Sequence, residues 1–445
     1  MTSRYGVPII GDLCVGTGGA VLDRRALAIL FLTLFLLMLG VGIIIPNIVY
    51  HAETSRATVP QATFLFTLYS LMQFLFAPVW GHLSDRFGRK PILVAGLFGN
   101  AAGLALFGVS SRLPLLFAAR GLSGLMSSAA LPTAMAYVAD VTDEKSRGRG
   151  MGLMGAAMGL GFIFGPGIGG YLSRFGHGVP FLVASALNLV TCTLAALLLR
   201  ESLGRRPRRT AGEAGEALGA PEGPLSSDVP APEPPIFPRP SRALASPLLP
   251  FYLVAFFVTF SMASLESIFP WFIEHRFGFG AQDMGVMFLF MGTAVFLVQG
   301  FLLGPWIGAI GEENVLVSGL LINALGFLLV IAAVGRVSLT AALVVGGVGN
   351  QIMRPTNASL ISKRTKRGQG AAIGIMDSFD SAGRILGPMA AGALYGLNRR
   401  YPYLASAAIM ATVGAALWAT RSAWRRAADR EAAAGLTSSD PPYPP

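Results

Sequence analysis

Four ionisable residues lie in otherwise apolar stretches, and their types could carry a proton. Glu266 falls inside one long apolar run, and Asp377, Asp380 and Arg384 fall inside another. Their spacing places the last three side chains on one face of a helix. Because one arginine cannot neutralise two carboxylates, at least one acid needs a proton or a second cation. Glu266 and Asp377 are therefore the first candidates for a reversible proton carrier, although a self-contained ion pair would also explain the second cluster.

Arg120 is a cation within a further apolar run, in the sequence Arg120-Gly-Leu-Ser-Gly124. A charge at the centre of a membrane helix costs roughly 2.5 to 3.5 kcal/mol on insertion scales, so its side chain should face a partner or a wet cavity. A cation that approaches or leaves a carboxylate changes how tightly that carboxylate holds a proton. Arg120 is predicted either to assist proton transfer or to donate hydrogen bonds to neighbouring backbone.

The rest of the chain suggests no other chemistry. We find no nucleophile with its base, no nucleotide-binding loop, and no metal-ligand spacing among the four histidines. Cys14 and Cys192 are the only cysteines, which gives neither a disulfide framework nor a metal site. We expect no enzyme activity, no metal and no cofactor.

The composition is that of a polytopic membrane protein. Hydrophobic residues make up 53% and charged residues 13% of the 445 residues, and the mean hydropathy is +0.60. Such a chain is too apolar for an ordinary soluble domain. The net charge of +11 would suit nucleic acid in a soluble protein. Here most Lys and Arg residues fall between apolar runs on one predicted side of a bilayer, so we expect lipid and no nucleic acid as the partner.

Twelve apolar runs are each close to the ~20 residues that a membrane helix needs. The basic segments between them predict a multi-pass protein of the inner or plasma membrane with both termini in the cytoplasm. We number the predicted spans helices 1 to 12, with bounds 26–48, 61–80, 92–109, 114–139, 150–173, 179–199, 248–273, 281–303, 315–333, 337–362, 370–396 and 401–421.

Composition divides the chain into five segments. Residues 200–247 are rich in Arg, Gly, Glu and Pro, and such a stretch buries too little apolar surface to offset its ordering entropy. It is predicted to be a flexible cytoplasmic linker between two six-helix bundles at 26–199 and 248–421. Residues 1–25 and 422–445 are predicted to be cytoplasmic tails.

The two halves repeat each other. Pro132-Thr133 in helix 4 returns 223 residues later as Pro355-Thr356 in helix 10, and two further motifs repeat at nearly the same offset. A shared offset predicts an all-α fold of two pseudo-symmetric six-helix bundles. Pro78-x-x-Gly81 also returns, as Pro305-x-x-Gly308, but without the charges that follow the first copy. We therefore expect the charged motif to work in one half only.

The charged motif is Gly81-His-Leu-Ser-Asp-Arg-Phe-Gly-Arg-Lys-Pro91, predicted to be a cytoplasmic turn between helices 2 and 3. Gly81 and Gly88 permit tight backbone paths there. The motif resembles the loop signature of the major facilitator superfamily, in which a glycine, Asp-Arg and Gly-Arg-Lys lie between the second and third helices. The resemblance covers 26–421 and implies two six-helix halves that rock around a central cavity.

The resemblance also implies a conformational latch. In this family the aspartate, here Asp85, faces the start of helix 11, and the second arginine, here Arg89, pairs with an acid at the inner end of helix 4. Asp140 takes that place, and Arg86 adds a further cation. A charge pair between moving segments can hold one conformation. The alternative is that these cations only fix the membrane topology.

Helix 5 carries Gly161, Gly165 and Gly169 at intervals of four residues, so one of its faces has almost no side chains. Close approach of a second helix is the expected result. The run from Gly165-Pro166 to Gly169-Gly170 resembles the Gly-Pro signature of antiporters in this superfamily, especially drug and tetracycline exporters. This implies export, whereas helix packing alone would also explain the glycines.

Several polar side chains inside the helices are candidates for lining a substrate cavity. Arg354 precedes Pro355, which frees a backbone carbonyl and can kink helix 10. Packing around water-filled gaps would explain these groups nearly as well. The cavity candidates are Gln73, Asn188, Gln299, Asn323, Asn350 and Arg354.

These features predict a monomeric secondary transporter that exports a small lipophilic compound in exchange for protons by alternating access. The alternatives are a sugar or metabolite facilitator without proton exchange, and a membrane receptor or scaffold that has lost transport. Many members of the family carry an acid in helix 1, and the predicted helix 1 has none. The proton route therefore has to use other residues.

Overall fold

The structure is a computed structural model in which residues 24–142, 144–202, 248–365 and 369–437 are described, without the side chains of 24–26, 144–149 and 421–437. Most of the predicted N-terminal tail and of the predicted linker lies outside the described residues. The described part is helical and forms twelve long helices, α1 to α12, which correspond one to one to predicted helices 1 to 12.

Each half contributes six helices. The first six are α1 (Arg24–Ile44, continued by Ile45–Asn47 and Ile48–Thr54), α2 (Val59–Phe87), α3 (Arg89–Val109), α4 (Leu113–Val141), α5 (Glu144–Leu172) and α6 (Val179–Leu198). The last six are α7 (Leu249–Phe277), α8 (Ala281–Leu297, continued by Val298–Leu302 and Leu303–Ile310), α9 (Glu312–Ala332), α10 (Arg336–Arg364), α11 (Gln369–Leu397) and α12 (Tyr401–Thr437).

Among the described residues, ten helices are long and apolar enough to cross a membrane. The other two long helices are α10 and α11, which carry Arg354 and the Asp377, Asp380 and Arg384 group in their interiors. These charges lower the mean hydropathy without shortening the helices, since both have 29 residues. The all-helical, multi-pass fold predicted from the sequence is confirmed.

The predicted turn at 81–91 is wrong. Helix α2 continues to Phe87 and α3 begins at Arg89, so Gly88 alone separates them. Its φ of 106° favours glycine, and a Cβ there would lie 2.5 Å from Glu201 Oε2. The predicted loop at 140–149 is likewise mostly helix. Apolar runs mark only the part of a helix that crosses the bilayer, whereas charged helix formers extend it beyond the lipid.

Two further boundaries differ for the same reason. Glu53, predicted to lie in a loop, is on the helical segment that continues α1. Helix α12 runs to Thr437, well into the predicted C-terminal tail at 422–445.

Helix contacts repeat between the halves. Helix α1 packs against α5 and α6, α2 against α4, and α3 against α4 and α6. The same contacts recur six helices later, between α7 and α11 and α12, between α8 and α10, and between α9 and α10 and α12. The pseudo-symmetry predicted from the sequence repeats is therefore present in the packing.

The bundle has two ends that differ in how the halves meet. We call the end that holds Gly88, Gly311 and Thr365 the basic end, and the end that holds Ser110, Gly280 and Asn398 the opposite end. Helices α5 and α8, and helices α2 and α11, form the contacts between the halves.

The halves touch near the opposite end. A Cβ built on Gly170 would lie 2.6 Å from Ala281 O, and one built on Gly285 would lie 2.6 Å from Pro166 O. Between α2 and α11, Thr67 Oγ1 donates a hydrogen bond of 2.9 Å to Ile385 O. The closest of these approaches join backbone to backbone.

The same helix pairs diverge toward the basic end. A Cβ built on Gly155 of α5, Gly300 of α8, Gly81 of α2 or Gly374 of α11 would have no neighbouring atom within 4 Å. The two halves therefore enclose a space that opens at the basic end and is closed at the opposite end.

Replacing Gly165 by leucine should destabilise the first half. A Cβ there would lie 2.6 Å from Gly42 Cα and 2.8 Å from Leu39 O, so α5 would have to move away from α1. Overpacking of this kind typically costs about 1 to 3 kcal/mol. We expect a lower apparent Tm for the Gly165→Leu protein in detergent, measured by thermal unfolding.

The matched control is Gly159→Leu on the same helix, where a Cβ would meet no atom within 4 Å. Its apparent Tm should equal that of the unchanged protein. Equal Tm values for the two variants would contradict the close approach of α5 to α1.

Candidate functional site

At the basic end, Arg89 joins three helices through one guanidinium group. From the first residue of α3, its Nη1 lies 2.5 Å from Asp85 Oδ1 on α2, and its Nε lies 3.2 Å from Asp140 Oδ2 on α4. Nη1 also donates a hydrogen bond of 2.6 Å to Ser84 Oγ. The pairing of Arg89 with Asp140 that the resemblance implied is thus present, and its role as a latch stays a prediction.

Asp85 and Arg86 of the charged motif are more exposed than Arg89. The Asp85 side chain is 63% exposed, and its ion pair among the described residues is with Arg89 rather than with the start of α11. Arg86 lies over the Phe87 ring at 5.5 Å from its centroid. A Cβ built on Gly81 would have no neighbouring atom within 4 Å. Asp85 and Arg86 are therefore accessible from the basic end.

Glu201 completes this site and was missed by the sequence analysis. Its carboxylate accepts hydrogen bonds from the backbone N–H groups of Arg89 at 2.8 Å and Lys90 at 3.2 Å. The N-terminus of α3 favours a negative charge there. Next to it, Ser202 Oγ donates to Asp140 Oδ2 at 3.0 Å. The predicted linker at 200–247 therefore begins with residues that belong to the folded first half.

The second half contains the same kind of ion pair with reversed polarity. Glu312, the first residue of α9, lies 2.8 Å from Lys363 Nζ near the end of α10. It lies 223 residues after Arg89, and Lys363 lies 223 residues after Asp140. Gly311 precedes it with a φ of 82°, as Gly88 precedes Arg89. The pair is reinforced by Ser359, which donates 2.7 Å to Glu312 Oε1.

The charged motif itself occurs in one half only, but the second half has an ion pair at the equivalent position. The sequence comparison looked for the same charges, whereas an ion pair survives when both partners change sign. Glu313 and Arg364 form a second pair beside the first. At the 223-residue offset of the ion pairs, which differs from the 227-residue offset of the Pro-x-x-Gly repeat, Asp85 has no acidic counterpart, since that position is Gly308.

Inside the bundle, Arg354 holds both acids of α11. Its Nη2 lies 3.3 Å from Asp377 Oδ1 and its Nε lies 3.4 Å from Asp380 Oδ2. Thr259 of α7 donates a hydrogen bond of 2.7 Å to Asp380 Oδ1. The Arg354 and Asp377 side chains are 64% and 54% exposed, so this cluster reaches solvent.

Arg384 is not the cation of this cluster, contrary to the prediction. It is exposed and, among the described residues, forms no ion pair within 4.0 Å. It is close enough to interact electrostatically with Glu266 and Asp380. Spacing along α11 could not show that a guanidinium on the neighbouring α10 reaches the two acids first.

Glu266 is the most deeply placed acid of the candidates. Its side chain is 9% exposed, on α7, and none of the described cations forms an ion pair with it. A buried charge without a partner is costly, so the charge on Glu266 depends on what approaches it. Its role as a proton carrier stays a prediction.

Arg120 has an aromatic partner that was not foreseen. It is 8% exposed and lies over the Tyr69 ring, 4.1 Å from the centroid. No carboxylate of the described residues lies within ion-pair distance of it. Tyr69 in turn accepts a hydrogen bond of 3.2 Å from Gln73, which also donates to Ser127 Oγ at 3.3 Å. A cation held over a ring in low dielectric is stabilised by the ring's quadrupole.

Three of the six cavity candidates bond within the helix packing, and one of them, Asn323, also lines a cavity inside the second half between α7, α8, α9 and α10. Asn188 accepts from Asn100 Nδ2 at 3.0 Å, Asn323 donates to Gly346 O at 2.8 Å, and Asn350 donates to Val258 O at 3.4 Å. All three are buried. Polar groups inside a membrane bundle bond across helices, and type and depth alone do not separate such groups from a cavity lining.

The remaining three stay candidates. Gln73 belongs to the Tyr69 cluster, Arg354 to the acid cluster, and Gln299 is exposed on the π turn of α8, where it donates 2.8 Å to Gln351 O.

The glycine motif of α5 lies where three helices meet. Gly161 faces α1, since a Cβ there would lie 2.5 Å from Phe35 O. Pro166 and Gly170, on another face, approach α8 of the second half at Gly285 and Ala281. The motif therefore forms both the core of the first half and the contact between the halves.

Comparison with known proteins decides the family. A family model described as the Major Facilitator Superfamily matches residues 30–302 and 251–441. The chain belongs to the major facilitator superfamily. Multidrug resistance protein 1 of Bacillus subtilis (strain 168) is 30% identical to this chain over 395 residues, which cover 88% of this chain and 95% of that protein. The class C tetracycline resistance protein of Escherichia coli is 30% identical over 420 residues, covering 91% and 99%.

A solved structure resembles this member of the superfamily in fold. The crystal structure of the human organic anion transporter MFSD10 (TETRAN) matches with a TM-score of 0.62 and 23% identity, covering 88% of this chain and 99% of that one. The fold and the family thus agree, and the chain is a transporter of small molecules in a membrane.

Reversing the charge of Asp85 should abolish transport without loss of protein. An Asp85→Lys substitution places a cation beside Arg89 and removes the contact from α2, while the high exposure of Asp85 means that folding does not depend on it. Transport in cells or proteoliposomes and abundance in the membrane fraction are the two measurements.

His82→Lys adds the same charge one helical turn earlier, on an exposed residue outside the ion pair. It should leave transport intact. Normal transport by the Asp85→Lys protein would end the latch interpretation.

The ion pair between Glu312 and Lys363 should tolerate an exchange of its two charges. Glu312→Lys places like charges next to Lys363 and Arg364, with an expected loss of roughly 1 kcal/mol, or about 2 to 4 °C in Tm. The double variant Glu312→Lys/Lys363→Glu restores opposite charges and should recover the Tm. A double variant no more stable than the single one would show that the pair does not hold α9 to α10.

Proposed function

We propose that this transporter exports a small lipophilic compound from the cytoplasm in exchange for protons, by alternating access, as a monomer in the inner or plasma membrane. The observation that carries the proposal is the arrangement of the halves, which touch at the opposite end and part at the basic end. Two rigid halves that can trade these contacts would expose a central site to one side at a time.

The charges at the two ends support an inward-facing assignment. Arg86, Arg89, Lys90, Lys363 and Arg364 all lie at the basic end, and short basic loops are retained in the cytoplasm. The basic end is then cytoplasmic, as are the start of α1 and the end of α12. The space between the halves opens to the cytoplasm, from which an exporter takes its cargo.

The direction and the cargo are inferred from relatives and from the glycine motif. The similar proteins are named for multidrug and tetracycline resistance. The Gly-Pro run of α5 resembles that of antiporters and lies at the contact between the halves, where a change in helix approach would accompany each half-cycle.

Protons would be exchanged at the acids next to the open space. Arg354 balances only one of its two partners, Asp377 and Asp380, and Glu266 lies deeper without an ion pair. Because Arg354 and the acids lie on different helices, a shift of α10 against α11 would change which acid is paired. An acid released from its cation takes up a proton, and one that regains the cation releases it.

Neutralising the two leading acids tests the coupling. We expect Glu266→Gln or Asp377→Asn to lower pH-gradient-driven transport in proteoliposomes by at least about tenfold, the change that 1.4 kcal/mol of lost coupling produces. Substrate counterflow without a gradient should persist, because binding and rocking remain.

Asp283→Asn serves as the control, since Asp283 lies at the start of α8 and pairs with Arg336 at the opposite end. It should retain gradient-driven transport. Full gradient-driven transport by both Glu266→Gln and Asp377→Asn would exclude these acids as the proton route, and flux insensitive to an uncoupler in the unchanged protein would favour the facilitator alternative.

A further inference from the structure

The contact between the halves contains two acids that face each other. Glu53 lies at the end of the helical segment that continues α1, and Glu274 lies in the last turn of α7. The two segments contact each other, and the two carboxyl groups lie close enough to interact across the halves. Beside them, the Tyr50 hydroxyl donates 3.3 Å to Phe279 O of the second half. The two halves therefore meet here through like-charged side chains.

No cation among the described residues neutralises this pair. Neither acid has an ion pair within 4.0 Å. Arg276, two residues after Glu274, directs its guanidinium to Ile331 O at 2.6 Å and Ala333 O at 2.9 Å. The other nearby arginines are Arg56 in the turn after the segment that carries Glu53, Arg336 paired with Asp283, and Arg399 beside Tyr395.

The remaining titratable groups around the pair are few. Tyr50, Tyr395 and Asp283 lie within electrostatic range of one or both acids or of each other. His275 Nδ1 lies 3.4 Å from the Tyr395 hydroxyl, to which it is directed. Of these groups, only His275 is of a type that can carry a positive charge.

One oxygen of the pair has no partner. Glu274 Oε2 is buried and accepts no hydrogen bond in the described structure. A carboxylate can only accept hydrogen bonds, so two carboxyls that approach each other can bond to one another only if one of them carries a proton. Glu53 and Glu274 are both half-buried, and two bare carboxylates brought together there would repel each other.

We propose that Glu53 and Glu274 share one proton when the opposite end is closed, and that loss of this proton opens that end. One proton enters from the medium on closing, converts one carboxylate into a carboxylic acid, and returns to the medium on opening. This rests on the proposed alternation between two open states. The pair is a proton site separate from Glu266 and Asp377, which lie toward the open space on the other side of the contact.

The consequence is a gate that responds to the pH of the side it closes. If the opposite end faces the exterior, external acid favours the closed, inward-facing state. By linkage, each pH unit changes the ratio of closed to open protein by up to about tenfold for a single shared proton. The higher proton concentration outside the cell would then favour the change of the empty transporter back to the inward-facing state.

A distance measurement across the opposite end tests this contact. The full chain, with Cys14 and Cys192 replaced by serine, carries spin labels at the exposed positions Ser111 and Arg400, one on each half. In lipid nanodiscs, the short-distance population should fall as the pH rises from about 5 to 9, with the slope of a single proton. The Glu53→Gln/Glu274→Gln protein should keep the short distance at every pH, because two amides hydrogen-bond without a proton.

Two controls keep the outcome decisive. Glu53→Lys should also stay closed at every pH through an ion pair with Glu274, which guards against a poorly folded double variant. His275→Gln should retain the pH dependence, and its loss there would assign the response to the histidine and overturn the proposal. A pH response in the double variant equal to that of the unchanged protein would also overturn it.

Transport by the same samples separates this inference from the proposed export. Export with distances that do not respond to pH would overturn the carboxyl pair alone. Distances that respond as expected, in a protein that moves no compound, would support the pair and contradict the proposed export.

Discussion

The close approach of α5 to two other helices is the constraint on which the rest of the structure depends. Gly161 and Gly165 bring α5 against the backbone of α1, and Gly170 and Pro166 bring another face of it against α8 of the second half. Such contacts are short-ranged and lose their attraction when the helices separate by even a fraction of a side chain. The halves can therefore meet firmly at one end while they remain apart at the other.

Ion pairs at the basic end join the helices within each half. In the first half Arg89 and Glu201 tie the start of α3 to α2, α4 and the end of α6. In the second half, Glu312 and Lys363 tie α9 to α10 with opposite signs. The pseudo-symmetry thus preserves the pairing and not the charges, and only the first half adds an exposed acid, Asp85, that could reach beyond it. A latch between the halves at this end would then depend on an acid of the first half alone.

The sequence predicted the fold and the number of helices because a bilayer imposes long apolar runs, and those runs are visible without knowledge of packing. Helix ends were predicted less well, since Phe87 and Thr437 extend helices past the lipid, where hydropathy carries no signal. Glu53 was assigned to a loop for the same reason, although it continues α1.

The sequence predicted which residues belong to the candidate site better than it predicted which residues they contact. Asp377 and Asp380 were found as a pair, but their cation, Arg354, comes from another helix and was assigned to the cavity. Asn188 and Asn350 showed the depth of cavity residues, yet bond within the packing. Glu201 has no signal of its own, because its role depends on where α6 ends relative to α3.

The central claim is that the two ends of the bundle cannot be closed together. Helices α5 and α8 run antiparallel and meet at Gly170 with Gly285 and at Ile163 with Gly292, so the same register places Gly155 beside Gly300 when the basic end closes. The most direct measurement uses a protein without Cys14 and Cys192 that carries new cysteines at these two positions. After the disulfide between them has formed, hydrogen exchange is measured at the opposite end. The account predicts that this crosslink forms and that hydrogen exchange then rises in 48–54 and 278–285. A crosslinked protein whose opposite end stays as protected as before would contradict it.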